Sequence, residues 1–269
     1  MLSMMAAGAA IPLVSGTMMG RAVAATCTIL PEETNGPYPA DGSNTASGSL
    51  ANVLIDSGLI RQDIRHSFGE YQGTAQGIAL ELELTLADAT NGCTPLAGAV
   101  IYIWHCTADG QYSIYNITDQ NFLRGAAIAD DNGKVRFTTI YPGCYRGRVP
   151  HIHFEVYPDI EAATSYEHRA LCSQIAFPDE TSAQIYSSAA GYEASLSPFE
   201  DISIGTDTVF ADNSDAEISA MTLTLAGSIS DGFAGTLTIA LDPNAEPVLS
   251  DAPPMGGPGE GPDGPPPGN

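Results

Sequence analysis

From residue 80 to residue 86 the chain reads Leu-Glu-Leu-Glu-Leu-Thr-Leu, so Leu80, Leu82, Leu84 and Leu86 alternate with Glu81, Glu83 and Thr85. A period of two puts the leucines on one face of a strand and leaves the other face to water, the pattern of an antiparallel sheet. "AVIYIWHC" (99–106) is β-branched and aromatic, "KVRFTTIYP" (134–142) follows a "DDNG" turn, and "HIHFEVY" (151–157) follows soon after. Near the end Met221, Leu223 and Leu225 alternate with threonines, and an "SDG" turn leads into the same alternation at Leu237, Ile239 and Leu241. Helical signals are sparse. The best is "PDETSAQIYSSAAGY" (178–192), with Asp179 as its cap and Gly191 as its stop. Many short strands with few helices predict an all-β chain: an antiparallel β-sandwich core with few short helices and long loops.

Three segments follow. Residues 1–24 hold an apolar run ending in Ala22-Val23-Ala24, which reads as a signal peptide with its cleavage site, leaving no stable membrane span after processing. Residues 25–248 carry the strand pattern. Residues 249–269, rich in Pro and Gly, bury too little to fold and read as a disordered tail. Within 269 residues, 9 Lys+Arg face 32 Asp+Glu, for a formal net charge of -23, and Lys134 is the only lysine. Such a surface repels phosphate backbones and anionic lipid, which excludes nucleic-acid and peripheral-membrane roles. Export puts Cys27, Cys93, Cys106, Cys144 and Cys172 in an oxidising compartment, where five cysteines form at most two pairs. The oligomeric state is left open.

The candidate chemistry lies in "RVPHIHFEVY" (148–157). In a strand His151, His153 and Glu155 share one face, while Ile152, Phe154 and Val156 take the other. Two imidazoles converging on one point suit a metal, and they equally describe a half-exposed strand with two polar positions. Upstream, Tyr112 in "DGQY" and Tyr145 in "PGCY" each follow a glycine-containing turn after a strand-like run. Alone, either is an ordinary packed aromatic. His105, beside the only Trp, reads as structural, His66 and His168 as loop residues, and Glu155 as either a neighbour of the histidines or a solvated side chain.

Taken together, these stretches resemble the intradiol ring-cleavage dioxygenases, the family of catechol and protocatechuate dioxygenases, in an exported form. "EETNGPYP", "LIRQDI", "PLAGAVIYIWHCTADGQYS", "FLRGAAIADDNGKVRFTTIYPGCYRGRVPHIHFEVY" and "CSQIAFPDE" follow the family's order. The resemblance implies an Fe(III) cofactor held by Tyr112, Tyr145, His151 and His153. It implies Arg148 as the cation that stabilises charge on the substrate, with Gln174 beside it. Tyr38 in "GPYP" is a candidate pocket wall, and Arg146 a candidate partner for a substrate carboxylate. The implied reaction takes a small aromatic diol and O2 to a muconate-type dicarboxylate. Only five residues separate Tyr145 from His151, a shorter loop than in the intracellular enzymes. If both tyrosines reach one iron, Cys106 and Cys144 come near each other, which leads us to expect a Cys106–Cys144 disulfide, with Cys27 pairing with Cys93 or Cys172. Two rival readings are a secreted β-sandwich binding module without turnover and a secreted zinc hydrolase, the latter lacking a carboxylate base beside the histidines.

Overall fold

The leucine alternation of residues 80–86 becomes strand β3 in the computed structural model, which describes residues 26–248. The expected signal segment 1–24 and tail 249–269 lie outside the described residues. In chain order the strands are β1 (Asp41–Ala46), β2 (Ser49–Asn52), β3 (Ala79–Asp88), β4 (Thr94–Pro95), β5 (Val100–Trp104), β6 (Arg124–Ile128), β7 (Lys134–Ile140), β8 (His151–Tyr157) and β9 (Leu171–Ala176). Three short helices follow, α1 (Asp179–Ser188), α2 (Glu193–Glu200) and α3 (Asp215–Met221), and then β10 (Thr224–Ser228) and β11 (Gly232–Leu241).

Two sheets form the sandwich. One runs β10-β11-β3-β4 with β7 also paired to β3, and the other runs β6-β5-β8-β9. Leu80, Leu82, Leu84 and Leu86, with Val135, Phe137, Leu237 and Ile239, pack against Ile101, Ile103, Ile152, Phe154, Val156 and Ile175 of the facing sheet. Each such side chain removed from water contributes about 1.5–3 kcal/mol, which makes this layer the main source of stability. Pairings between named strands are antiparallel as expected, except that β11 runs parallel to β3. A parallel neighbour needs a long return connection, and here most of the chain intervenes.

Strand β8 departs from a half-exposed pattern, since all seven of its residues are buried. Ile152, Phe154 and Val156 face the sandwich core. The opposite face is covered by a second cluster in which Ala40, Val53, Leu54, Leu59 and Phe68 of the N-terminal segment close over Tyr102, Trp104, Tyr112, Tyr145 and Tyr157. The histidine face is therefore interior.

Some local expectations are corrected. Asp179 does not cap α1: it is the first helical residue, Pro178 takes the cap position without a side-chain bond, and Asp179 Oδ2 accepts from Ile204 N at 3.2 Å. Gly191 does stand beyond the helix, with φ of 88°. Met221 closes α3, held by a Ser214/Glu217 capping box, so the final hairpin begins only at Thr224. Among the described residues no helix is long and apolar enough to cross a membrane.

The expected Cys106–Cys144 bridge does not form. Cys106, Cys144 and Cys172 are free and buried, and the disulfide is Cys27–Cys93, with Cα atoms 6.0 Å apart. The loops carrying Cys106 and Cys144 do meet, but their thiols belong to different cores, Cys144 in the sandwich and Cys106 in the aromatic cluster. Cys106 Sγ points to Gly143 O at 3.5 Å and Cys144 Sγ to Arg148 O at 3.2 Å. Burial pushes the Cys106 thiol up to about 12 and the Cys144 thiol higher still, so neither is a ready nucleophile. Cys27–Cys93 closes a span of 66 residues, which in the chain-entropy model stabilises the fold by about 4 kcal/mol. Cys93→Ser is expected to lower the unfolding free energy by up to about that amount in denaturant titration. Non-reducing peptide mapping should find Cys27 linked to Cys93, and a Cys106–Cys144 peptide would overturn the assignment.

Candidate metal centre

The register of the second sheet sets the site. Trp104 on β5, His153 on β8 and Gln174 on β9 are direct cross-strand partners, so their side chains stand in one row on the aromatic face. His151 lies on that face two residues earlier. Tyr112 comes from the β5–β6 connection and Tyr145 from the β7–β8 connection. These two loops approach closely because Gly143 N donates to Thr107 O at 3.0 Å, and a Cβ on Gly143 would fall within 2.5 Å of Ala108 O. The glycine of "PGCY" therefore brings the second tyrosine to the first.

Four donor atoms converge. His151 Nε2 lies 3.1 Å from His153 Nε2, 3.1 Å from Tyr145 Oη and 3.4 Å from Tyr112 Oη, and the two phenol oxygens are 3.2 Å apart. All four residues are buried. His151 Nδ1 donates to Val149 O at 2.7 Å, which leaves the Nε2 lone pair facing the centre. His153 is held flat by Trp104, ring centroids 5.0 Å apart and 4° from parallel. Gly36 completes the cradle. With φ of 66°, it approaches so closely that an added Cβ would lie 3.1 Å from His153 Cε1.

Burial opposes charge on Tyr112 and on both imidazoles. Desolvation, then the neighbouring Tyr145 and Cys106, push the Tyr112 phenol well above its ordinary range. Desolvation and the Arg148 charge hold both imidazoles well below theirs. Two imidazole nitrogens and two phenol oxygens crowded on one buried point, with phenols that ionise only beside a strong Lewis acid, fit a hard and highly charged cation. Among the described residues no group of three or more His, Cys, Asp or Glu is placed to hold a metal ion.

Arg148 is fully buried, not a surface charge. Its Nε donates to Asp207 Oδ2 at 3.0 Å and its Nη2 to Gln174 Oε1 at 2.5 Å, while Gln174 Nε2 donates to Thr34 O at 2.9 Å. Tyr38, half-buried, packs its ring 5.0 Å from Tyr112 and 4.9 Å from Tyr115. Arg146 alone stands apart: it is exposed on the Tyr145 loop and forms no hydrogen bond or ion pair among the described residues. Glu155 is not solvated, since it is buried and accepts from Tyr157 OH at 2.7 Å and Arg169 Nη1 at 3.0 Å. His105 is structural, bonded through Nε2 to Thr139 Oγ1 at 2.7 Å and through Nδ1 to Cys106 O at 2.8 Å, while His66 and His168 are exposed.

Sequence reasoning missed Asp207, Trp104, Gly36 and Arg124. Trp104 was legible as the strand partner of the histidine row, and Gly36 belongs to the quoted "NGPYP". Asp207 and Arg124 carry no local signal. Arg124 is buried and donates to Ser113 Oγ and Ser113 O, both at 3.1 Å, to Pro39 O at 3.0 Å and to Tyr102 OH at 3.2 Å, tying the loop after Tyr112 to the N-terminal segment.

A family model described as "Dioxygenase" matches residues 61–190, a stretch containing Tyr112, Tyr145, Arg148, His151, His153 and Gln174. An intradiol ring-cleavage dioxygenase from Tetranychus urticae has the same fold, with a TM-score of 0.60 and 26% identity, covering 83% of this chain and 98% of that one. In the matched stretch and in its fold the chain is similar to the intradiol ring-cleavage dioxygenases. Among curated relatives, a chlorocatechol 1,2-dioxygenase from Pseudomonas sp. (strain P51) is 34% identical over 146 residues, 46% of this chain and 49% of that protein. One from Rhodococcus opacus is 43% identical over 54 residues, 19% of this chain and 21% of that protein. The chain thus spans half or less of the length of these curated relatives. Tyr38, Gly36 and Asp207 lie outside the stretch that the family model matches.

Two outcomes follow from the geometry. Gly36→Ala forces a side chain into the left-handed region and against His153, and should destabilise the protein by about 1–2 kcal/mol in thermal unfolding. Glu33 accepts from Asn213 Nδ2 at 2.8 Å, and desolvation raises its carboxyl from 4.5 to about 7. Between those values the folded state holds a proton that the unfolded state has lost, so this group's contribution to stability falls as pH rises from 4.5 to 7. Unfolding free energies of the iron-free Glu33→Gln protein should therefore vary less between pH 5 and 7 than those of the wild type. Parallel pH curves would show that Glu33 titrates normally.

Proposed function

We propose that this chain is an exported, ferric-iron intradiol dioxygenase that opens an aromatic 1,2-diol between its two hydroxylated carbons. The diol and O2 combine to give a muconate-type dicarboxylic acid that keeps both oxygen atoms. The observation that carries this reading is the convergence of two phenol oxygens and two imidazole nitrogens, each 3.1–3.4 Å from its neighbours, beside a buried arginine. Tyr112, Tyr145, His151 and His153 would hold the iron. When bound, Fe(III) supplies a Lewis acid that lets the phenols and the diol ionise and that makes the electron-rich ring reactive toward O2.

The chain's own groups do the rest. Tyr145 Oη accepts one diol proton as the substrate enters. Arg148 offers a fixed cation to the negative charge that grows on the ring, and because the site is dry that charge is weakly screened. Gln174 holds the guanidinium through Nη2, and through Thr34 it links the arginine to the segment that cradles His153. Tyr38, packed beside Tyr112, would wall the pocket and keep water out. Arg146, exposed beside Tyr145, would be the partner for a carboxylate on the ring. The Cys27–Cys93 disulfide supports an oxidising location outside the cytoplasm. A binding module without turnover has no use for this donor set around a buried cation.

Iron-loaded protein should contain about one iron per chain and show a visible tyrosinate-to-iron band, which Tyr112→Phe or Tyr145→Phe shifts or bleaches. With catechol it should take up O2 and release the muconate. Arg148→Gln should lower kcat by roughly 100- to 1000-fold, the usual cost of removing one preorganised charge-stabilising group. A colourless protein that takes up zinc, or a yellow semialdehyde product, would contradict the proposal.

A further inference from the structure

The carboxylate of Asp207 is fully buried, and each of its contacts ends on or next to Arg148 or on its own turn. Its Oδ1 and Oδ2 receive Arg148 Nε at 3.2 and 3.0 Å. Oδ2 also receives Val149 N at 2.8 Å, and Oδ1 receives Val209 N at 2.8 Å and Phe210 N at 3.3 Å. Backbone bonds from two separate stretches of chain therefore stop the carboxylate from turning. A guanidinium is planar, so a carboxylate fixed at Nε and an amide oxygen fixed at Nη2 together set the plane of the Arg148 head group. The Phe210 ring, 5.8 Å from the guanidinium carbon, lies against that plane. Asp207 sits in the segment after α2, beyond the stretch that the family model matches, so the cation comes from one part of the chain and its anchor from another.

We infer that Asp207 is the positioning residue for Arg148: it sets where the guanidinium charge points, and so governs the rate of ring opening more than the affinity for the diol. This inference rests on the ring-cleavage reading. It differs from a merely structural buried ion pair in a measurable way. Loss of a structural pair lowers the fraction of folded protein and leaves each folded site at full speed, whereas loss of a positioning pair slows every folded site.

The test uses the full chain, with Asp207→Asn, Asp207→Glu, Arg148→Gln and the Arg148→Gln/Asp207→Asn pair, and reads kcat and KM per iron-loaded folded site. Asp207→Asn should lower kcat about 10- to 100-fold with KM within about threefold and the visible band unchanged. Asp207→Glu, which keeps the charge, should recover part of that loss. The double variant should be no slower than Arg148→Gln alone, because Asp207 acts only through Arg148. A second readout needs no activity. In iron-free, nitrogen-15-labelled protein, the Arg148 Nε–H signal, assigned by its loss in Arg148→Gln, should exchange slowly with water in the wild type and quickly in Asp207→Asn. An unchanged kcat per site, additive losses in the double variant, or an Nε–H signal indifferent to Asp207 overturns the inference. If Asp207→Asn does not fold, Asp207→Glu carries the same comparison, and full wild-type kcat and exchange in that longer side chain count against positioning. If iron-loaded wild type opens no diol, the ring-cleavage reading fails, while the exchange measurement still decides whether Asp207 holds Arg148.

Discussion

Two imidazoles and two phenols held against one another, away from water, are the constraint around which this molecule is built. Each polar group in such a place loses its hydration, and without a compensating partner that costs about 1–3 kcal/mol by mutational measures. The sandwich alone does not create the dry volume, because strand β8 would present its histidine face to solvent if the fold ended at its two sheets. The N-terminal segment and the β1–β2 hairpin close over that face, with Ala40, Val53, Leu54, Leu59 and Phe68 forming the lid of a second, aromatic core. The chain thus carries one apolar core for stability and a second that isolates the donor atoms.

The same constraint explains the distribution of charge. Nine basic residues less Lys134 leave eight arginines in a chain of net charge -23, and Arg124, Arg148 and Arg169 are buried. Arg148 faces Asp207, and Arg169 faces Glu155. Arg124, by contrast, reaches neutral oxygens among the described residues, from Pro39, Tyr102 and Ser113. Desolvated ion pairs of this kind seldom add net stability over apolar packing, so what they supply here is fixed direction. Arg124 joins the Tyr112 loop to the N-terminal segment, and Arg148 joins β8 to the segment after α2.

How much of this was legible in the chain depends on the range over which each feature is determined. Local periodicity identified the strand at Leu80–Leu86 and the shared face of His151 and His153, because side-chain direction in a strand depends on position alone. It could not show that β8 is covered on both faces, since the covering residues are about a hundred positions earlier. Proximity of Cys106 and Cys144 was inferred correctly from the meeting of their loops, but a disulfide depends on which way each Sγ points, and here the two side chains enter different cores. Asp207 was invisible because one aspartate in "IGTDTV" has no pattern to betray it. Its role exists only through a contact 59 residues away in sequence.

The region that carries least of the family pattern braces the site most directly. Ser195 on α2 donates from Oγ to Ala108 O at 2.8 Å and accepts from Cys144 N at 2.9 Å, so one hydroxyl clamps the Tyr112 loop to the Tyr145 loop. Farther out, Tyr192 joins the end of β7 to the start of β3, donating to Tyr141 O at 2.7 Å and accepting from Ile78 N at 3.0 Å. After Tyr145 the chain turns at once, Arg148 N donating to Tyr145 O at 3.1 Å. The backbone is therefore fixed immediately before and after Tyr145, and the short loop to His151 has no slack. A phenol that leaves the centre to admit a substrate must do so by side-chain rotation and not by loop movement. Such rotation needs space on the Tyr112–Tyr38 side, where the wall is a half-buried ring and not backbone. The helices outside the sandwich thus determine which part of the site stays rigid and which part can yield.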